Sequence, residues 1–245
     1  MTVGDWSYAL SNPFNTVNTN KGSFLMFRLA CFGDSLTAGF QTPTPGQVPW
    51  RDTPYGGFLQ EWLGERGNVI VSGICGEVTH EMVGRFDRAI LRHSPHAVVI
   101  LGGTNDLGSG YDPEAIVENL TILYKAAQQN GIRPVGVTLP SIYVDEETLQ
   151  VRTKKVEDVD ELPEWIRSHI DRRRVLNRMI QDVCASEHIS SVDLFDGTSE
   201  GPHDLLAPRF SNDGLHLSTA GYERFARLVW EVVCQDQFGP CPGAP

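Results

Sequence analysis

The segment Ala97-Val-Val-Ile-Leu101, followed by Gly102-Gly103, decides the fold class of this chain of 245 residues. An unbroken apolar run that ends at glycines is typical of a strand buried on both faces, because a strand with one face in water alternates apolar and polar residues. Strands of that kind belong to parallel sheets that helices cover on both sides. The segment therefore predicts an α/β protein.

Outward from this strand, strand and helix patterns alternate along the chain. Strands are predicted over residues 27–32, 69–71, 97–101, 134–139 and 189–194. Helices are predicted over residues 55–63, 78–91, 113–129 and 218–233, with Asp112 and Ser218 as N-cap candidates. The alternation predicts βαβ units and a five-stranded parallel sheet that helices cover on both faces, a three-layer α/β/α sandwich. We expect a doubly wound sheet with the strand order 2-1-3-4-5, in which the first strand is central. Such sheets carry their sites beyond the carboxyl ends of the strands.

Charge and hydropathy narrow the classes of partner. The net charge of −11 argues against nucleic acid and anionic membranes, which both require a basic surface. No apolar run approaches the ~18 residues of a membrane span, and residues 1–25 lack the pattern of a secretory signal. The sequence therefore predicts a cytoplasmic protein. It makes no prediction of the oligomeric state.

The five cysteines are odd in number and irregularly spaced, which indicates buried, reduced thiols. They are Cys31, Cys75, Cys184, Cys234 and Cys241. A disulfide between Cys234 and Cys241 is left open.

The domain organisation is predicted as a polar extension over residues 1–25, one domain over 26–237 and a tail over 238–245. Within the domain, residues 141–172 contain many charges. This insertion is interpreted either as a solvated loop or helix pair, or as a lid or pocket wall, since it follows the fourth strand at the active edge.

Ser35 is the candidate nucleophile, within Gly33-Asp34-Ser35-Leu36 after the first strand. A serine between a strand end and a helix start lies beside free backbone N–H groups, which can hold the oxyanion that forms when serine attacks an ester. The alternative is that Ser35 only caps the helix. A P-loop is excluded because no Gly-Lys-Ser/Thr follows, and a Gly-x-Ser-x-Gly elbow is excluded because residue 37 is Thr37.

Asp213 and His216 are the candidate orienting acid and base, in Asp213-Gly-Leu-His216 before the last helix. A serine hydroxyl needs a base, and the base needs a partner that fixes its tautomer. On one turn, a separation of three residues places both side chains on the same side. The alternative is a capping aspartate with a structural histidine.

Two further segments contain candidate oxyanion donors. Asn105 follows the third strand and can donate a side-chain N–H. Gly76 follows the second strand and can offer a backbone N–H that no side chain obstructs. Each is alternatively a turn residue.

Together the four segments resemble the SGNH hydrolase family, also called GDSL esterases and lipases. The chain reads Gly33-Asp-Ser-Leu36, a glycine at Gly76, Gly103-Thr-Asn-Asp106 and Asp213-Gly-Leu-His216, in the order of that family's motifs. One departure is Val71-Ser72, before Gly73, where many relatives have an asparagine. The stretch from Arg174 to Asn177 looks like that of the family's small intracellular esterases.

The resemblance implies a flavodoxin-like fold and a serine esterase. Its triad is Ser35, His216 and Asp213, and its oxyanion hole is formed by the N–H of Ser35, the N–H of Gly76 and Asn105. No metal or organic cofactor is implied, and His93-Ser-Pro-His96 lacks a third ligand. The expected substrate is a small-molecule ester with a short acyl chain. Four aromatic residues are either pocket walls or packing: Trp50, Tyr55, Tyr143 and Trp165.

Two other functions are compatible with the sequence. One is an acyltransferase that uses the same triad, in which an alcohol replaces water. The other is a non-catalytic carbohydrate- or lipid-binding module on this fold.

Overall fold

A computed structural model describes residues 26–43, 52–144 and 162–243. Its centre is a sheet of five parallel strands in the order β2-β1-β3-β4-β5, as predicted. The strands are β1 (Phe27–Gly33), β2 (Gly67–Gly73), β3 (Ala97–Leu101), β4 (Arg133–Val137) and β5 (Ser190–Val192). The segment at 97–101 is β3, and all five of its residues are buried.

The helices of the described residues cover both faces of the sheet. They are α1 (Ser35–Ala38), α2 (Tyr55–Leu63), α3 (Thr79–Ala89), α4 (Thr104–Gly108), α5 (Pro113–Gln129), α6 (Glu164–Ser186), α7 (Leu194–Thr198), α8 (Thr219–Val233) and α9 (Gln235–Phe238). A short antiparallel pair, β6 (Ser199–Glu200) and β7 (Leu205–Leu206), follows α7. Ser218 caps α8 through its side chain, whereas Asp112 holds the N-cap position of α5 without a side-chain bond.

Strands β4 and β5 end earlier than predicted. Leu139 lies outside β4 because its backbone groups are hydrogen-bonded to the side chain of Asn177. The Leu139 N–H donates to Asn177 Oδ1 at 2.7 Å, and Asn177 Nδ2 donates to the Leu139 carbonyl at 2.9 Å. After β5 the Asp193 carboxylate accepts from the N–H of Asp196 and begins α7. Both ends are therefore set by side-chain contacts to the backbone.

The predicted insertion at 141–172 is only partly described, since residues 145–161 lie outside the described residues. From Glu164 onward it is the start of α6, a helix of 23 residues. Ile166 and Ile170 of this helix are buried against Ile142. Of the two forms of the solvated interpretation, loop and helix pair, residues 164–172 adopt a helix, with Ile166 and Ile170 buried. The lid or pocket wall stays a prediction.

Aromatic packing joins α8 to α2. The rings of Tyr55 on α2 and Phe225 on α8 lie 3.9 Å apart between centroids, and those of Trp62 and Trp230 lie 6.0 Å apart. Tyr55 is fully buried. It is therefore a packing residue, not a pocket wall.

The cysteines are free thiols, and four of them are buried. Cys75 is exposed, so the prediction of a buried thiol is wrong there. Within the predicted tail, Cys241 is buried and the Gly239 carbonyl accepts from the Trp230 indole. The domain bounds, including the extension at 1–25, stay a prediction.

None of the helices in the described parts of the chain is long and apolar enough to span a membrane.

Candidate active site

Ser35 is the first residue of α1 and is separated from the end of β1 by Asp34 alone. The helix is capped by its neighbour Asp34, whose carboxylate accepts from the Leu36 N–H at 2.9 Å. Ser35 is therefore not the cap, and its hydroxyl is available for other contacts. It is 6% exposed. In the described parts of the chain, its backbone N–H donates no hydrogen bond to another backbone group.

The structure brings Ser35 and His216 together from positions 181 residues apart. The Ser35 Oγ lies 3.2 Å from His216 Nε2, and His216 Nδ1 lies 2.8 Å from Asp213 Oδ2. The other carboxylate oxygen of Asp213 accepts from the backbone N–H groups of Leu215 and His216 at 2.9 and 2.7 Å. Serine, imidazole and carboxylate thus form one hydrogen-bonded series.

The electrostatics of Asp213 keep it ionised. Partial burial by itself raises the pKa of this carboxyl. Hydrogen bonds from the His216 ring, the Thr42 hydroxyl and two backbone N–H groups outweigh burial and hold the pKa well below its usual range. A carboxylate with that pKa stays charged at neutral pH and can stabilise a protonated His216.

The loop that carries Asp213 and His216 is closed on itself. Ser211 Oγ donates to the His216 carbonyl at 2.7 Å and accepts from the Gly214 N–H at 2.9 Å. Gly214 has φ +87°, and a Cβ added there would lie 2.3 Å from the Tyr143 carbonyl oxygen. Tyr143 also donates its N–H to the Gly214 carbonyl. The close approach of Tyr143 therefore requires glycine at position 214.

Two contacts of the triad were not predicted from the sequence. The ring of Phe40 meets the His216 ring edge-on at 4.6 Å between centroids. Thr42 donates its hydroxyl to Asp213. Both residues follow α1 without a motif around them, so only their place beside Ser35 in the chain pointed to the site.

Gly76 and Asn105 lie on adjoining loops. The Asn105 side-chain amide donates to the Glu77 carbonyl at 2.9 Å and approaches Asp34 Oδ2 at 3.4 Å. Gly76 precedes Glu77, is exposed and has φ +80°. Within the described ranges its N–H has no hydrogen-bond acceptor. The structure therefore joins the two loops and leaves the Gly76 N–H available.

Two buried carboxyl groups, those of Asp34 and Asp106, lie at the carboxyl edge of the sheet beside the candidate site. Burial raises the pKa of the Asp34 carboxyl to about 7, against hydrogen bonding from the Leu36 N–H. Asp106 is 2% exposed and accepts from Thr79 through both its backbone N–H and its hydroxyl. Asp106 lies on α4 and thus fixes the start of α3 to the helix that follows β3.

Among the described residues, no group of three or more histidine, cysteine, aspartate or glutamate side chains is placed to hold a metal ion. His93 and His96 are exposed, and His96 Nδ1 accepts from the Arg28 N–H. His80 is exposed at the start of α3, near the ring of Tyr111.

A cleft of about 550 Å³ lies between the start of α5 and α6, away from the triad. Its lining residues include Asp112, Glu164, Arg167 and Arg172. Of the remaining aromatic candidates, Tyr143 is half-buried beside Gly214, Trp165 is 44% exposed and Trp50 lies outside the described residues.

A doubly wound parallel sheet with a serine, a histidine and an aspartate in hydrogen-bonded series at its carboxyl edge has the architecture of a serine hydrolase. A model of the GDSL-like lipase/acylhydrolase family matches residues 31–224. The chain belongs to that family, which confirms the resemblance found in the sequence.

Individual relatives are more distant. An arylesterase from Vibrio mimicus is 31% identical over 111 residues, which make up 44% of this chain and 52% of that protein. The chain spans about half the length of the curated relatives it matches.

Solved structures share the fold. A lipase/acylhydrolase from Enterococcus faecalis superposes with a TM-score of 0.62 at 24% identity, covering 84% of this chain and 94% of that one. An acetylxylan esterase from Geobacillus stearothermophilus gives 0.61 at 18% identity, covering 84% and 93%.

Proposed function

We propose that this chain is a carboxylic ester hydrolase with Ser35 as nucleophile, His216 as general base and Asp213 as the residue that orients it. The observation that supports this most directly is the series from Ser35 Oγ through His216 to Asp213, with distances of 3.2 and 2.8 Å. Both lie near hydrogen-bond length, and such contacts are often longer before substrate binds.

The reaction has two steps. His216 Nε2 takes the Ser35 proton as the serine oxygen attacks the ester carbonyl, and the imidazolium then gives that proton to the leaving alcohol. Water next attacks the acyl-enzyme with His216 again as base, which releases the acid and restores Ser35. The ionised Asp213 stabilises the imidazolium in both steps.

The developing oxyanion needs donors that are already in place. We assign them to the backbone N–H of Ser35, the backbone N–H of Gly76 and the side-chain amide of Asn105. The two backbone groups have no competing acceptor in the described parts of the chain. The Asn105 amide donates to the Glu77 carbonyl at 2.9 Å and to Asp34 over a longer 3.4 Å, and the oxyanion would replace the longer of these two contacts.

The substrate is an ester with a short acyl chain. The arylesterase and the acetylxylan esterase among the similar proteins support aryl and acetyl esters as the first choice. Rates on a series of aryl esters should fall as the acyl chain lengthens, and rates that rise beyond about eight carbons would contradict this choice.

The test combines labelling with turnover. A fluorophosphonate should modify Ser35, mapped by peptide mass, while hydrolysis of 4-nitrophenyl acetate is lost in parallel. Ser35→Ala should lose both with an unchanged circular dichroism spectrum, whereas Ser168→Ala, an exposed serine on α6, should retain both.

Other outcomes assign other functions. A folded protein that neither hydrolyses short aryl esters nor reacts with the phosphonate is a binding module. Transfer of the acyl group to a dilute alcohol in preference to water identifies an acyltransferase.

A further inference from the structure

The position of Gly76 is not fixed by packing. It is exposed, and a Cβ added to it would meet nothing within 4 Å. A donor that must meet a developing oxyanion has to be held in place, because a displacement of about 1 Å can cost about 10²-fold in rate. Contacts elsewhere in the turn between β2 and α3 must therefore hold it.

Those contacts come from Arg85 on α3. Its Nε and Nη2 form a bidentate ion pair with the Glu77 carboxylate, at 2.5 Å each. Nη1 donates to the Ser72 hydroxyl at 2.6 Å, and Nη2 also donates to the carbonyls of Gly33 at 3.0 Å and Ser72 at 3.2 Å. The guanidinium lies over the ring of Phe32, 4.2 Å from its centroid.

These partners lie on the two segments that carry the proposed backbone donors. Gly33 is the last residue of β1, two residues before Ser35. Ser72 and Glu77 flank the turn that contains Gly76. The Glu77 carbonyl in addition accepts from Asn105. One guanidinium therefore fixes the relative positions of the segments that carry all three donors.

A purely structural ion pair is the competing explanation. The side chains of Arg85 and Glu77 are only 8% and 4% exposed, and the desolvation cost of such a pair often cancels its attraction. An apolar pair could stabilise the fold equally well. Only the forked geometry of arginine, which reaches Glu77, Ser72 and Gly33 together, accounts for the full set of contacts.

We propose that Arg85 is a positioning residue of the oxyanion hole, which acts through Glu77, Ser72 and Gly33 and does not itself touch the substrate. This inference rests on the proposed esterase function. Ser72 takes part in it, since its hydroxyl accepts from Arg85 at 2.6 Å.

The test is Arg85→Lys, which keeps the positive charge but replaces the forked guanidinium by a single ammonium group. We expect kcat per phosphonate-labelled site to fall about 10- to 100-fold, with KM changed less than about twofold, because a misplaced oxyanion donor affects the transition state. Adding Asn105→Ala to Arg85→Lys should cost less than Asn105→Ala costs alone, because the donors are already displaced.

Two control variants separate positioning from stability. Arg88→Lys changes an exposed arginine of the same helix and should leave kcat and KM unchanged. Ile180→Val removes a buried methyl group on α6, so it should lower Tm while retaining kcat per labelled site. If Arg85→Lys does not fold, Ser72→Ala removes a single Arg85 contact and should still lower kcat about threefold or more.

The outcomes are distinguishable. A wild-type protein without hydrolysis or labelling contradicts the proposed function. An active wild type in which Arg85→Lys, or Ser72→Ala in its place, keeps its kcat per labelled site overturns the role of Arg85. So does a loss confined to KM.

Discussion

At the scale of single residues, Asp34 connects the segment of the proposed nucleophile Ser35 to Asn105, one of the proposed oxyanion donors. Its carboxylate caps the helix that begins at Ser35 and also approaches the Asn105 amide. Burial raises its pKa to about 7, and nearby Asp106 and Glu77 act in the same direction. A carboxyl group with that pKa changes charge close to neutral pH.

The raised pKa predicts a pH-dependent contribution to stability. The folded state binds the Asp34 proton more tightly than the unfolded chain, where the pKa is 3.8. The stabilisation is therefore complete below about pH 4 and is lost as the pH rises through about 7. The difference in unfolding free energy between wild type and Asp34→Asn should fall by roughly 4 kcal/mol between pH 4 and pH 8.

Urea unfolding of both proteins at several pH values measures this difference. Titrating groups that do not interact with Asp34 contribute equally to both proteins and cancel. A difference that does not change between pH 4 and pH 8 would show that Asp34 titrates as an ordinary exposed carboxyl.

Asn105 should act on the transition state more than on substrate binding. Asn105→Ala removes one oxyanion donor, so kcat should fall about 10²- to 10³-fold with little change in KM. Steady-state kinetics on 4-nitrophenyl acetate measure both. The matched control is Asn119→Ala, which removes an amide that donates to the Thr79 hydroxyl behind the site and should retain kcat. An effect of Asn105→Ala on KM alone would exclude it from the oxyanion hole.

At the scale of elements, hydrophobic periodicity predicts the secondary structure of a segment where local sequence alone determines it. It located β3 and α5 at their observed bounds, since a buried apolar run and a proline-led helix are local signals. It placed the end of β4 too late, because Asn177 lies 38 residues from Leu139 in sequence. The many charged residues at the start of α6 likewise led to an interpretation of this segment as solvated, although Ile166 and Ile170 are buried.

Some residues of the candidate site can likewise be predicted from local sequence, and others cannot. Short motifs single out Ser35, Asn105 and His216, because each combines a reactive side chain with a strand end or a helix start. Phe40 and Arg85 carry no such signal. Their roles depend on which segments meet in space, and a single sequence does not contain that information.

The loop from Ser211 to Leu217 should not tolerate a side chain at Gly214. Gly214→Ala combines a positive φ with a Cβ 2.3 Å from the Tyr143 carbonyl oxygen, so the loop must move and His216 with it. We expect kcat/KM to fall at least about tenfold. Gly201→Ala is the control, because Gly201 has φ +76° and open space around it.

Both variants carry a similar backbone strain, which costs on the order of 1 kcal/mol in stability. Kinetics and thermal unfolding of the two variants together separate strain from displacement. Equal kinetics in the two variants would mean that the Tyr143 contact does not position His216.

At the scale of the whole molecule, the site depends on how α8 packs against both β5 and α2. β5 lies at one edge of the sheet and β1 lies inside it, next to β2. α8 contacts β5 and also packs on α2, the helix that follows Ser35 in the chain. His216 lies just before α8, so the packing of α8 on α2 places His216 next to Ser35. The triad therefore forms only when the sheet and both helices are in place.

The charge of the whole molecule predicts a preference among esters. The chain carries 31 acidic and 20 basic residues, a net charge of −11, and Asp34, Asp106 and Asp213 lie in or beside the site. The resulting field should disfavour an anionic ester, and the effect should weaken with salt, because the Debye length shrinks from about 30 Å at 0.01 M to about 10 Å at 0.1 M.

The measurement compares kcat/KM for 4-acetoxybenzoate and its neutral methyl ester between low and high ionic strength. The ratio in favour of the neutral ester should fall severalfold as salt is added, while the rate on the neutral ester alone stays constant. A ratio independent of salt would instead assign the preference to direct contacts inside the site.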